Sequence, residues 1–209
     1  MVTGRVVLLE GPSSTGTTSL ATAFRDARAE RGELWLLLGV DDVLSRLPAP
    51  WVDVGWPSGP GRFAAEGMRI ERTRDRSVIH VGPTLRTLLR LHQVGVARAA
   101  RAGIDVIADE VVLDDQTWAD WETALDGLDA RWVGLTCSAA ELERRERRRG
   151  DRPVGLATAQ LDAAPALAHH LRLDTTAVEP PDLLRSLEAF VDAWPAPTAG
   201  PTGPRPVEG

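Results

Sequence analysis

The chain has 209 residues, of which 43% are apolar and 26% charged, and its formal net charge is −6. That balance fits one globular domain and argues against a surface that coats DNA or RNA, which is normally basic. No apolar run approaches the roughly 18 residues that span a membrane, and no basic-then-apolar leader precedes the first strand-like run. A cytoplasmic protein without membrane or nucleic-acid partners is therefore expected, with homo-oligomerisation left open.

Arg5 to Glu10 reads as a short, nearly all-apolar strand, the pattern of a strand buried on both faces of a parallel sheet. Gly11 to Gly16 is a loop of small residues, and Thr17 to about Glu30 reads as a helix with Leu20, Phe24 and Ala27 on one face. Leu34 to Leu38 is a second strand, followed by Asp41 and Asp42 and a short helix from about Val43 to Leu47. Within an acceptor-side excursion over about 51–81, Trp51 to Gly61 reads as irregular, and Phe63 to Val81 as a small hairpin or an excursion over one end of the sheet, with the charged turn Arg72 to Arg76 at its tip. A long helix runs from Gly82-Pro83-Thr84 to about Ala102, where Gly103 stops it. Strands at Ile104–Ala108, Trp132–Cys137 and Leu171–Asp174 alternate with helices at Asp115–Leu128, Ala139–Arg149, Thr158–His170 and Pro181–Trp194. The alternation predicts an α/β fold, a three-layer doubly wound parallel five-stranded sheet within residues 1–194. The tail 195–209, rich in Pro, Gly and Thr, is expected to be disordered.

Gly11-Pro12-Ser13-Ser14-Thr15-Gly16-Thr17-Thr18 matches the phosphate-binding pattern G-x-x-x-x-G-K-[ST] everywhere except Thr17, which stands in the lysine position. Small residues let successive backbone N–H groups curl around a phosphate, and the helix N-terminus adds partial positive charge. The nucleotide-binding set is thus Gly11 to Thr18 together with Ser19, with Thr18 as Mg²⁺ ligand. Thr17 cannot bridge a transferred phosphoryl group as lysine does. The chain contains no lysine at all, so a replacement cation must be arginine or metal.

Asp41 falls past the end of a strand, where open α/β sheets bind ligands, and is placed to accept a proton from a substrate hydroxyl; the plainer alternative is a helix N-cap. Asp109, after Val106-Ile107-Ala108, is the expected second metal ligand. Asp105 reads as peripheral, and Asp114 and Asp115 as a solvated turn. The stretch Glu143 to Arg152 is dense in charge. It reads either as a solvated helix laced by i,i+4 pairs such as Glu141–Arg145, or as a lid over about 139–155. In the lid reading Arg145, Arg149 and Arg152 stabilise phosphoryl charge. His80, His92, His169 and His170 lack metal-ligand spacing. Cys137 reads as a buried small residue.

These motifs, with Leu38-Gly39-Val40-Asp41, Ile107-Ala108-Asp109-Glu110, Arg149-Gly150-Asp151-Arg152, Gly155-Leu156-Ala157 with Gln160, and Asp174-Thr175-Thr176, resemble the chloramphenicol phosphotransferase family of P-loop small-molecule kinases. The resemblance implies ATP, Mg²⁺ and transfer of the γ-phosphoryl to a hydroxyl of an antibiotic-like or secondary metabolite. It implies Asp41 as catalytic base, Arg145 and Arg149 as phosphate-contacting lid arginines with Arg152 close behind, and Thr18 on the metal side. The departure at Thr17 keeps two further readings open: a nucleotide-binding protein with little transfer, and altered chemistry on a phosphate-bearing small molecule in the same pocket.

Overall fold

Val6, Val7, Leu8 and Leu9 are fully buried because their strand lies in the middle of a parallel sheet and serves two cores at once. Successive side chains of a strand point to opposite faces. Val7 and Leu9 pack with Leu20, Phe24, Leu187 and Val191 on one side, while Val6 and Leu8 pack with Val96, Ala100, Trp121 and Trp132 on the other. In this computed structural model the described residues are 3–53, 61–72, 77–149, 156–163 and 167–194. The tail 195–209, the turn tip 73–76, Trp56, and Gly150, Asp151 and Arg152 lie outside them.

The strands of the main sheet are β1 (Val6–Glu10), β2 (Trp35–Gly39), β6 (Asp105–Glu110), β7 (Ala130–Thr136) and β8 (Leu171–Asp174). They are ordered β2-β6-β1-β7-β8 with every pairing parallel. Helices α1 (Thr17–Glu30) and α7 (Pro180–Asp192) cover one face, and α3 (Pro83–Arg101) and α4 (Asp115–Leu125) cover the other. The expected three-layer architecture is therefore present. Arg28, 2% exposed, ties α1 to α7 through a 2.6 Å bond to Asp192 and a 3.2 Å bond to the Glu188 carbonyl.

A second sheet, β3 (Val52–Asp53), β4 (Met68–Arg72) and β5 (Ser77–Val81), stands over the carboxyl end of the main one; its β4–β5 pair is the antiparallel hairpin expected in the excursion. Helices α5 (Ala139–Arg149) and α6 (Leu156–Ala163) lie beside it, with α6 packed on β5 and α5.

Several boundaries differ from expectation. The short helix α2 (Val40–Leu44) begins directly after β2, so Asp41 and Asp42 sit in its first turn, where the helix dipole favours carboxylates. Asp109 and Glu110 belong to β6 rather than following it. Helix α6 is described over Leu156–Ala163, and Leu167–His170 is not helical, so the expected helix does not run through to His170. Asp114 is no solvated turn residue: it caps α4 by accepting from the Thr117 N–H at 2.8 Å, and Arg86 of α3 donates to both its oxygens at 3.0 and 2.5 Å. Burial opposes the charged form of Asp114, but the Arg86 and Thr117 hydrogen bonds outweigh it and hold its carboxyl below the usual range.

Candidate active site

The loop between β1 and α1 is built to expose amides. Ser14 (φ 67°) and Gly16 (φ 101°) both adopt left-handed backbone, and nothing lies within 4 Å of where a Gly16 Cβ would stand. Gly11 must be glycine for another reason: a Cβ there would meet the Leu135 carbonyl of β7 at 2.8 Å. The turn is fixed by the Thr15 N–H and hydroxyl, which donate to the Pro12 carbonyl at 3.2 and 2.7 Å. Helix α1 has Gly16 at its N-cap and no side-chain cap. Its first-turn N–H groups are left facing the loop's hollow. The Ser14 hydroxyl is buried and finds no hydrogen-bond partner among the described residues. Uncapped amides, a left-handed nest and an orphaned hydroxyl fit a phosphate.

Arg145 reaches this loop from outside. Its Nη1 donates to the carbonyls of Ser14 and Thr15 at 3.2 and 3.3 Å and to Thr175 Oγ1 at 3.3 Å, and its Nη2 donates to the Thr175 carbonyl at 2.6 Å. The expected i,i+4 pair is present too: Nε donates to Glu141 at 2.8 Å. In a planar trans peptide the C=O and the next N–H point opposite ways. Drawing the Thr15 carbonyl outward therefore turns the Gly16 N–H inward. Hydrogen bonds from Arg144 and Arg145 hold the Glu141 carboxyl down to about 2. Among the described residues Arg147 pairs with Glu143 alone, and it is exposed, so the solvated-helix reading holds for that part of α5.

Two cavities flank the start of α1. One, of about 460 Å³, lies among Ser14, Gly16, Ser19, Arg145 and the turn Thr175–Pro180. The other, of about 270 Å³, has Thr17, Thr18, Asp41 and Asp109 in its wall. Arg149 borders both. The structure thus brings Asp41, Arg149, Thr18 and Asp109 to one cleft with the loop. It sets the Arg145 guanidinium on the loop's outer carbonyls, and Arg152 is outside the described residues.

Asp109 and Glu110 are consecutive in β6 and so face opposite ways. Asp109 joins the cleft, while Glu110 turns toward α3 and meets His92 at 2.6 Å in a buried pair. Burial pushes the Glu110 carboxyl up to about 7 against the pull of His92, with the charges of Asp109 and Asp41 adding to the rise. For His92, burial opposes the charged ring, but the hydrogen bond and charge of Glu110 outweigh it, so its pKa is raised. A matching pair lies one strand over: His169 meets Glu10 at 3.0 Å, and His170 faces the other way to accept from the Trp132 N–H at 3.0 Å. His169 fits because its neighbour is Gly134, where a Cβ would stand 2.7 Å from the ring.

Among the described residues no group of three or more His, Cys, Asp or Glu can cage a metal. Mg²⁺ takes one or two protein oxygens and completes its shell from phosphate and water; Thr18 and Asp109 are the pair that could hold it here.

Two residues of the site were given no role by the sequence reading. Glu146, 1% exposed, accepts from the Ala157 N–H at 2.7 Å and so ties α5 to the first turn of α6. Gln160 of α6 reaches the phosphate loop, and the buried Ser13 amide is its partner. The available signal was Leu142, the one large apolar residue of α5, which predicts burial four residues on at Glu146.

A parallel sheet in this strand order, with an anion-cupping loop after β1 and carboxylates at the ends of β6 and α2's first turn, defines a P-loop nucleotide-kinase-like protein. The chain belongs to the chloramphenicol phosphotransferase-like family, whose model matches residues 4–192. A protein of Mycobacterium tuberculosis that carries the provisional name O-phosphotransferase is 32% identical over 208 residues, covering 95% of this chain and 87% of its own length. Among solved structures, an unliganded sugar kinase from Janibacter is similar with a TM-score of 0.65 at 19% identity, covering 94% of this chain and 99% of its own. The Mycobacterium tuberculosis APS kinase in complex with AMPPNP and APS gives 0.64 at 16%, covering 92% and 100%. These structural likenesses concern the fold. Family and fold together support small-molecule phosphotransfer in general. No helix among the described residues is long and apolar enough to cross a membrane.

Proposed function

We propose that this chain transfers the γ-phosphoryl group of ATP to a hydroxyl of a small, uncharged, largely apolar molecule of the antibiotic or secondary-metabolite kind. The observation that carries the reading is the cleft itself. The phosphate loop and Asp41 share one cavity, and apolar side chains including Val40, Leu44, Met68, Ile79, Val111 and Leu113 form most of the remaining wall. Arg149 is the one cation among the described residues of that wall, set against two carboxylates, Asp41 and Asp109. An anionic acceptor would face those two carboxylates, whereas a neutral, largely apolar one would not and would bury apolar surface against the wall.

In this reading Asp41 takes the acceptor's proton, the loop amides and α1 hold the phosphates, and Arg149 supplies the charge that Thr17 lacks. Arg145 acts one step removed by shaping the loop. Mg²⁺ on Thr18 and Asp109 would neutralise charge on the terminal phosphates. Arg152 is assigned to the same cluster on the family resemblance alone.

The test is transfer from radiolabelled ATP to a panel of neutral apolar alcohols, amphenicols included, beside anionic acceptors such as gluconate. Neutral acceptors should be labelled. Asp41→Asn should lower that turnover by about 10²- to 10⁴-fold with ATP affinity nearly kept. Undiminished turnover in Asp41→Asn removes the base assignment, and preference for the anionic acceptor removes the substrate class. Thr17 favours a second reading, in which nucleotide is held without efficient transfer. Tight ATP binding with no acceptor-dependent ADP release would mark it.

A further inference from the structure

The phosphate loop is touched on its acceptor side by a residue for which phosphotransfer has so far required no role. Gln160 stands on α6, one turn after Leu156, and i,i+4 spacing puts both side chains on one helix face. Both border the cavity that holds Asp41 and Arg149. Gln160 Oε1 accepts from the backbone N–H of Ser13 at 2.5 Å, across 147 residues of sequence. An amide side chain has one acceptor end and one donor end. Since a backbone N–H can be met only by the oxygen, the orientation of the Gln160 amide is fixed by chemistry. Its Nε2 then makes no hydrogen bond among the described residues, and it belongs to a side chain that borders the cavity.

The support behind Gln160 is built. The first turn of α6 is held by the buried Glu146 through the Ala157 N–H at 2.7 Å, Ala157 is fully buried with Leu142 and Cys137, and the helix packs on β5 of the smaller sheet. β5 contributes Ile79 to the acceptor wall. One side chain therefore joins the element that shapes the acceptor wall to the loop that shapes the phosphate site.

We propose that Gln160 is a two-ended positioning residue: its oxygen pins the loop at Ser13, and its Nε2 offers a neutral donor to the terminal phosphate of the nucleotide. In a loop without lysine, a donor fixed by its own opposite end takes part of the lysine's place beside Arg149. This rests on the phosphotransfer reading above for the nature of the ligand, but not for the pin.

The test uses the full chain and two variants. In Gln160→Ala both ends are lost. The peptide covering 11–19 should exchange its amide hydrogens about tenfold faster in the ligand-free protein. In Gln160→Glu an oxygen remains to accept from Ser13, so exchange should stay near that of the unaltered chain. The donor is gone, however, and a negative charge replaces it. Calorimetric titration should then show affinity for Mg·ATP lowered about tenfold, with Mg·ADP affinity unchanged. Unaltered exchange in Gln160→Ala overturns the pin. Equal losses for ATP and ADP in Gln160→Glu, or no loss for either, overturn the donor. If the unaltered chain binds neither nucleotide, the phosphotransfer reading is what fails, and the exchange measurement still decides the pin by itself.

Discussion

Restoring lysine at Thr17 should change the protein in opposite directions with and without nucleotide. Thr17 is the first residue of α1, 8% exposed, and borders the cavity shared with Asp109 and Arg149. A cation at a helix N-terminus opposes the dipole and costs about 0.3–1 kcal/mol. In the ligand-free chain that cost stands alone, so Thr17→Lys should melt slightly lower. With Mg·ATP the ammonium gains a charge-assisted bond to phosphate oxygen worth about 1.5–3 kcal/mol, which exceeds the dipole cost and corresponds to roughly 10- to 100-fold in affinity. If Arg149 now supplies the missing charge, Arg149→Ala should cost about that much in the unaltered chain and clearly less in the Thr17→Lys background. The assay is a double-mutant cycle on Mg·ATP affinity by calorimetry, with melting curves of all four proteins with and without nucleotide. Equal cost of Arg149→Ala in both backgrounds would refute the substitution of arginine for lysine. A native activity abolished by Thr17→Lys would mean that the site is rebuilt around threonine.

Two further outcomes concern the buried pairs beneath the loop. Glu110 binds a proton up to about 7 in the folded chain, whereas an unfolded glutamate releases it near 4.5. The folded state therefore holds the extra proton between those values, and stability falls as pH rises through that window; the raised pKa of His92 acts with the same sign above about 6.5. Glu110→Gln should flatten this slope in urea unfolding between pH 5 and 7.5; an unchanged slope would assign it to other groups. Gly134→Ala places a methyl group 2.7 Å from the His169 ring, and should cost about 2 kcal/mol, or some 4–8 °C in melting temperature. The cost should shrink when His169→Ala is present; an equal cost in both backgrounds would remove the steric explanation.

The main sheet was legible because burial on both faces leaves a mark that needs no distant information. Val6 to Leu9 can be all apolar only if both sides of the strand are covered. The phosphate loop was legible for a similar reason, since its small residues answer to local backbone geometry at Ser14 and Gly16. What stayed hidden is long-range. The contacts of Arg145 with the loop and of Gln160 with Ser13 join positions 130 or more residues apart, and no periodicity encodes them. Charge density also misled. A run such as Glu143 to Arg152 invites a solvated reading, yet Glu146 is almost fully buried because a helix N-terminus waits for its carboxylate. Asp114 misled in the same way: one carboxylate beside another looked like surface, while Thr117, three residues on, and Arg86 on a neighbouring helix gave it fixed work.

The five donations of Arg145 bear on how molecules enter and leave. Its guanidinium fastens the middle of α5 to two peptide groups of the phosphate loop and to the Thr175 junction ahead of α7. A rigid swing of α5 would strip the four donations that leave the helix, keep the one to Glu141, and leave two loop carbonyls without their cation. Admitting reactants by moving that helix would thus cost the loop its brace.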